Sequence, residues 1–293
     1  MNSCQPGILA EIPPHARYLS FTLKPDVATD KVRQLVRERL NPQQGVVGFG
    51  LELIMALAID LPGLKPFPVL CGPAFTVPAT PSALWIWLQG EDRGDLLQVC
   101  RQLTHDLSEV FVLQKVIDAF KHRDSRDLTG YEDGTENPQG EDAVKTGIVQ
   151  GQGAGMDGSS FVAVQQWIHD LDHFQSLPEA ERDGIIGRRI SDNVELDGAP
   201  PSAHVKRTAQ EDFEPEAFIL RRSMPWADEH QAGLVFVAFG HSLDAYEALL
   251  NRMTGKDDGI CDALFRFSRP VSGSYYWCPP VKDGRLDLSL LGL

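Results

Sequence analysis

Cysteine is scarce in this 293-residue chain: there are five (Cys4, Cys71, Cys100, Cys261, Cys278), and no two stand at CxxC spacing. That excludes a zinc-ribbon or disulfide framework and leaves reduced thiols, expected mostly buried as small hydrophobes. Long apolar runs are also missing, since no stretch approaches the roughly 18 to 20 residues that span a bilayer. No membrane partner is therefore expected. Positive charge is short: 27 Lys and Arg face 41 Asp and Glu, a net charge of −14. A nucleic-acid binder needs a clustered basic face to track phosphates, so that class is excluded too. The first twenty residues carry no basic stretch, no apolar core and no twin arginine, which predicts a cytoplasmic chain. What remains, 42% hydrophobic and 23% charged residues, belongs to a folded globular protein of one large domain or two.

Periodicity organises the chain into pairs of strand and helix. Residues 17–23 alternate like a half-buried strand, and Val27, Val32, Leu35, Val36 and Leu40 then recur at helical spacing. Residues 83–88 read as a strand, followed by Gly90 and a helix over 95–107. The same pattern returns downstream: a strand over 161–168, a helix over 171–186, a strand over 234–239, Gly240, and a helix over 243–253. The two glycines stand 150 positions apart (240 − 90), which suggests an internal duplication. Strand-helix-strand-strand-helix-strand halves predict an α+β fold of two ferredoxin-like domains, each a four-stranded antiparallel sheet with helices packed on it. The expected units are residues 1–127 and 128–293, with a long loop over 130–158 at their junction and a space between them for a cofactor.

Three motifs mislead. Gly153-Ala-Gly155-Met-Asp-Gly158 matches GxGxxG but precedes a strand, where a dinucleotide fingerprint must follow one. Asp133-Gly-Thr-Glu-Asn137 begins like a calcium loop, but Pro138 stands where the sharp turn requires glycine. His169 and His173 have helical zinc-ligand spacing without the accompanying glutamate, so a solvated pair is expected.

Three other segments carry chemistry. Gly130-Tyr-Glu-Asp-Gly-Thr-Glu-Asn-Pro138 is a polar, turn-rich stretch; Ser202-Ala-His-Val-Lys-Arg207 holds a histidine; Ile219-Leu-Arg-Arg-Ser-Met-Pro225 reads as a strand. On that strand Ile219, Arg221 and Ser223 share one face, placing a guanidinium where apolar residues are expected. A buried arginine calls for an anion.

Together these segments, with the GxxDG motif at Gly130–Gly134 as the most specific mark, resemble the dye-decolourising peroxidases, haem enzymes of the dimeric α+β barrel superfamily. The likeness runs from Gln5-Pro-Gly-Ile8 to Tyr275-Tyr276 and is greatest to the compact cytoplasmic bacterial branch (class B, or P-type). It implies one haem b per chain with His204 as the iron ligand and Asp262 accepting the other N–H of that imidazole. The neighbouring Asp257 and Asp258 leave the choice of acid open, and His241 and His230 are the next candidate ligands. It also implies Asp133 and Arg221 on the peroxide side, Ser223 beside them, Phe236 as an apolar cover, and Glu136 as a carboxylate at a channel mouth. A carboxylate can shuttle the peroxide proton, and a fixed guanidinium stabilises the developing negative charge. Implied partners are hydrogen peroxide, small aromatic or dye electron donors, and further copies of the chain. Surface exits for electrons are sought among Trp167, Trp226, Tyr275, Tyr276 and Trp277. The alternative is a haem-handling protein that carries haem or removes its iron; a chlorite-decomposing haem enzyme is disfavoured by Asp133.

Overall fold

Period-two alternation gives the first long strand, β1 (His15–Leu23), two working faces: Ala16 and Tyr18 go to one side, Leu19 and Phe21 to the other. The computed structural model describes residues 3–43, 45–72 and 75–293. Helix α1 (Thr29–Arg39) buries Val32, Leu35 and Val36, starting later than its periodicity suggests because Asp26 turns the backbone left-handed (φ 58°). Strands β2 (Val46–Gly50) and β3 (Leu84–Gly90) follow. Helix α2 (Arg93–Leu107) opens where the Asp92 carboxylate accepts the N–H groups of Gly94 and Asp95, and β4 (Phe111–Phe120) ends this half.

The stretch 130–158, expected as loop, contains helix α3 (Gly140–Gly147), with Glu141 and Asp142 in its first turn to favour its positive end. The second half then runs β5 (Ser160–His169), α4 (Leu171–Ser176), α5 (Glu179–Ile186), α6 (His204–Arg207), β6 (Leu220–Arg221), β7 (Met224–Ala227), β8 (Ala232–Gly240), α7 (Asp244–Met253), β9 (Ser268–Pro270) and β10 (Ser274–Cys278). The single helix expected over 171–186 is divided into α4 and α5 at Leu177-Pro178, since proline cannot donate within a helix and disfavours helical backbone just before it.

Among the described residues these ten strands form one antiparallel sheet, and β5 closes it by pairing with β10 on one side and β8 on the other. The first half has the order β2–β3–β1–β4; with the short β6 and β9 left aside, the second half repeats it as β7–β8–β5–β10. Two narrow seams join the halves, Phe49 with Trp277 and Gly50 with Tyr276 at one, Ala119 with Trp226 at the other. Gly48 lets the first seam close, because a Cβ there would stand 2.8 Å from Tyr276 Cβ.

This closed barrel overturns the expectation of a cofactor space between the halves. Its interior is filled by aromatic side chains. Tyr18 stacks on Trp87 (ring centroids 5.9 Å), Trp85 on Tyr276 (5.7 Å) and Trp87 on Phe239 (6.2 Å). The mixed α+β class holds, and the last residues pack against the core through Leu286, Leu288 and Leu291. Of the cysteines only Cys100 and Cys278 are buried; Cys4 and Cys261 are half-buried, and Cys71 is exposed, on the outward position of a three-residue strand. Among the described residues no helix is long and apolar enough to cross a membrane.

Candidate active site

The cavity lies on the outer face of the second half. Its volume is about 1020 Å³ counted to the open mouth, and every lining residue falls between Asp127 and Phe267. Period two on β5 brings Gln165, Trp167 and His169 to its wall, while β8 contributes Leu234 and Phe236. Helix α7 covers them with Tyr246, Leu249, Leu250 and Met253. Much of the wall is apolar, and His204, Asp133 and Arg221 are among the polar groups set into it, brought there by three separate segments.

His204 is the first residue of the short helix α6. Gly187 ends α5 at φ +96°, and a Cβ there would stand 2.3 Å from Val205 Cγ2, so only glycine lets this turn pack so closely on α5. His204 Nδ1 lies 2.7 Å from Asp262 Oδ2. Asp262 is 2% exposed and is pinned by its own N–H to Met253 O (2.8 Å), while its Oδ1 accepts the Leu264 N–H. Ala263 N–H bonds Ser202 O at 2.7 Å, which ties the acid's segment to the histidine's. Asp258 instead pairs with Arg207, so Asp262 is the acid that meets the imidazole. With Nδ1 engaged, Nε2 makes no hydrogen bond among the described residues.

Across the cavity, Arg221 Nη1 stands 3.8 Å from Asp133 Oδ1, with side chains 19% and 25% exposed. Burial raises the Asp133 carboxyl above the usual range; Arg221 pulls against that, the charge of Asp127 adds to it, and His204 pulls it down. Asn137 fixes the two segments together, donating from Nδ2 to Arg221 O and accepting the Arg221 N–H on Oδ1, both at 2.9 Å. Gln210 does the same for the adjoining stretch, accepting the Ile219 N–H and donating to Glu136 O. Neither residue was singled out from the sequence, although Asn137 lies inside the motif stretch. Arg222 points the other way, its guanidinium satisfied by the carbonyls of Ile8 and Leu9.

Other expected residues fall differently. Phe236 is on the wall, but Ser223 is not: the strand breaks after Arg221, and Ser223 lines a separate small pocket together with Asp133, its Oγ accepting the Val237 N–H. Glu136 is exposed and paired with Arg188 at 2.9 Å, off the cavity wall. Trp167, Trp226, Tyr275, Tyr276 and Trp277 are all buried, so none is itself a surface exit; β10 lies between β5 and β2, which covers its three aromatics. His230 and His241 are exposed and away from the cavity. His169 and His173 are not a solvated pair, because His169 is buried and bonded to Ser268 and Asp127.

The cavity wall has unmet needs. Arg221 Nε, Gln165 Nε2 and Tyr246 Oη are buried without a partner among the described residues. Buried polar groups are seldom left so, which fits a large, largely apolar ligand with electron-rich atoms. A profile of the Dyp-type peroxidase C-terminal domain matches residues 124–283, the span that holds the whole cavity. This chain belongs to the Dyp-type peroxidases. It is 30% identical to the dye-decolorizing peroxidase of Mycobacterium tuberculosis over 224 residues, covering 74% of this chain and 67% of that one. A putative Dyp-type peroxidase from Shewanella oneidensis superposes with TM-score 0.87 at 29% identity, over 99% of this chain and 98% of that one. A DypB variant from Rhodococcus jostii, solved in complex with heme, gives 0.81 at 26% identity over 93% and 94%.

Proposed function

We propose that this Dyp-type peroxidase reduces hydrogen peroxide in the cavity and oxidises aromatic or dye donors by single electrons. The observation that carries the reading is one apolar cavity walled both by His204, backed by buried Asp262, and by the Asp133–Arg221 pair. Haem b bound there supplies a redox-active iron that takes two oxidising equivalents from peroxide and hands them on singly. His204 Nε2 is the atom to hold the iron, and Asp262 accepts the Nδ1 proton, which fixes the tautomer and makes the ring a stronger donor. Asp133 takes the proton of the incoming peroxide on its carboxylate and returns it to the departing oxygen. Arg221, always protonated, steadies the charge that grows as the O–O bond opens. Phe236 keeps the site apolar, while Ser223, bonded to the β8 backbone, holds the chain beyond Arg221. A haem carrier needs neither a base nor a guanidinium facing its ligand, which counts against that alternative.

The repeated strand order supports reading the barrel as two ferredoxin-like domains, residues 1–127 and 128–293. A homo-oligomer belongs to the same reading, supported by the likeness to the encapsulated Dyp-type peroxidase of Mycobacterium smegmatis (26% identical, TM-score 0.81). Absorption spectroscopy tests the function. The haem-loaded protein should show a Soret band that shifts with one equivalent of peroxide and returns on adding a phenolic donor. Stoichiometric delivery of haem to an acceptor protein, without peroxide turnover, would overturn it.

A further inference from the structure

Peroxide reduction consumes protons: H₂O₂ + 2 H⁺ + 2 e⁻ gives 2 H₂O, the electrons coming from two donor molecules. Each turnover must therefore bring two protons into a mostly apolar cavity. A second depression, a polar groove of about 1300 Å³ including its open space, lies on the other side of a thin partition. His169 and Phe267 form that partition, since both line the groove and the cavity, and their rings lie 5.8 Å apart.

A line of hydrogen bonds crosses there. Ser268, on the groove wall, lies with Oγ 2.7 Å from His169 Nδ1; His169 Nε2 lies 3.2 Å from Asp127 Oδ2; Asp127 lines the cavity together with Asp133. Ser268 and His169 are direct neighbours across the β9–β5 pairing, so the sheet itself sets the first contact. The His169 side chain is only 5% exposed, yet both its nitrogens are engaged, one toward each compartment. Hydrogen bonds alone would satisfy any buried imidazole; what sets His169 apart is that one partner lines the groove and the other the cavity. Resting on the peroxidase reading, we infer that Ser268, His169 and Asp127 form a proton inlet from the groove to the cavity.

The transfer balances. A proton from groove water joins the Ser268 oxygen as the hydroxyl hydrogen moves to His169 Nδ1; the Nε2 proton passes to Asp127 and onward to the cavity; a return of the hydroxyl and the tautomer resets the line. Burial pushes the Asp127 carboxyl up, but the hydrogen bond and charge of His169 and the two bonds from Thr129 bring it below the usual range, so it stays ionised and hands on a proton rather than keeping it. Charged and titratable groups facing the groove end are Asp170 and Asp172 after β5, Asp228 and His230 in the β7–β8 turn, and Arg266 and Arg269 around β9. The carboxylates gather protons at the mouth, and the arginines offset their mutual repulsion.

The test uses His169→Gln, whose amide can bond both neighbours but cannot pass a proton through a ring, together with Ser268→Ala and Ser268→Thr. In the haem-loaded protein, His169→Gln and Ser268→Ala should slow the donor-dependent return of the Soret band, the phase that takes up the two protons, about 10- to 100-fold and enlarge its solvent isotope effect, while Ser268→Thr stays near the parent rate. In the haem-free protein, ¹⁵N-histidine NMR should show the His169 ring N–H exchanging with water at least about ten times more slowly in Ser268→Ala than in the parent. A parent-like rate and isotope effect in His169→Gln, or unchanged exchange in Ser268→Ala, would overturn the inlet. The exchange measurement needs no peroxide chemistry, so a failed peroxidase assay and a failed inlet remain distinguishable.

Discussion

Arg221→Leu should slow the reaction with peroxide more than Asp133→Asn does, and the geometry says why. Arg221 stands 3.8 Å from Asp133 on a partly shielded wall, where opposite charges interact by roughly 4 kcal/mol at an effective dielectric of about 20, before desolvation is subtracted. Removing the guanidinium therefore acts twice. It deletes the group that steadies the charge of the breaking O–O bond, a loss typically on the order of 100- to 1,000-fold. It also strips Asp133 of the charge that opposes burial, so a carboxyl already held above its usual range rises further. A base must be ionised to act, so the rate is present above the Asp133 pKa and lost as pH falls through it. In Arg221→Leu this acid limb should move to higher pH; in Arg221→Lys, which keeps the charge, it should move less. Asp133→Asn abolishes the limb, but its loss of rate is blunted because Asp133 also borders a small pocket with Ser125 and Ser223, and a water held there can stand in for the carboxylate. Stopped-flow mixing with peroxide across pH, reading the first Soret change, decides the matter. If Asp133→Asn is the slower variant at every pH, the carboxylate is indispensable and the ranking is wrong.

The remaining predictions concern the support of the iron ligand. His204→Ala should lose nearly all bound haem, read as the pyridine haemochrome of purified protein; retained haem would place the axial bond elsewhere. Asp262→Asn should weaken haem retention or activity about 10- to 100-fold and raise the reduction potential, while Asp258→Asn, which touches Arg207 instead, leaves the potential unchanged. Spectroelectrochemistry of the two variants compares them directly. Gly187→Ala should destabilise the fold by about 1–3 kcal/mol in urea titration, because alanine at φ +96° is strained and its Cβ would overlap Val205. A midpoint equal to the parent's would show that α6 can shift at no expense.

Much of the fold was legible because it is written in local periods. Leu35 and Val36, or Leu96, Cys100 and Leu103, announce helices by spacing alone, and Phe161 to Ile168 announces a strand. Period does not say what lies across a seam. Gly48 and Tyr276, or Ala119 and Trp226, meet only because the sheet closes, and nothing within either local sequence specifies the partner. That is why the halves read as two sheets with a gap between them, and why Tyr276 and Trp277 stand among the candidate surface exits although packing is the commoner role for such residues. The site divides in the same way. His204, Asp133 and Arg221 sit in motif stretches, whereas Ser223 followed a strand register that breaks one residue after Arg221.

The same argument explains His169. By sequence it has a histidine four residues later, and the pair reads as solvent-facing. By structure it is the last residue of β5, and strand alternation sends its ring to the face that carries Gln165 and Trp167. Ser268 then reaches it through sheet pairing across 99 positions, and Asp127 reaches it from the loop before the GxxDG motif, 42 positions away. None of the three is conspicuous in its own segment. What makes them a group is the closure of the second half around β5, which puts one strand's edge residue between two compartments that only the folded chain possesses.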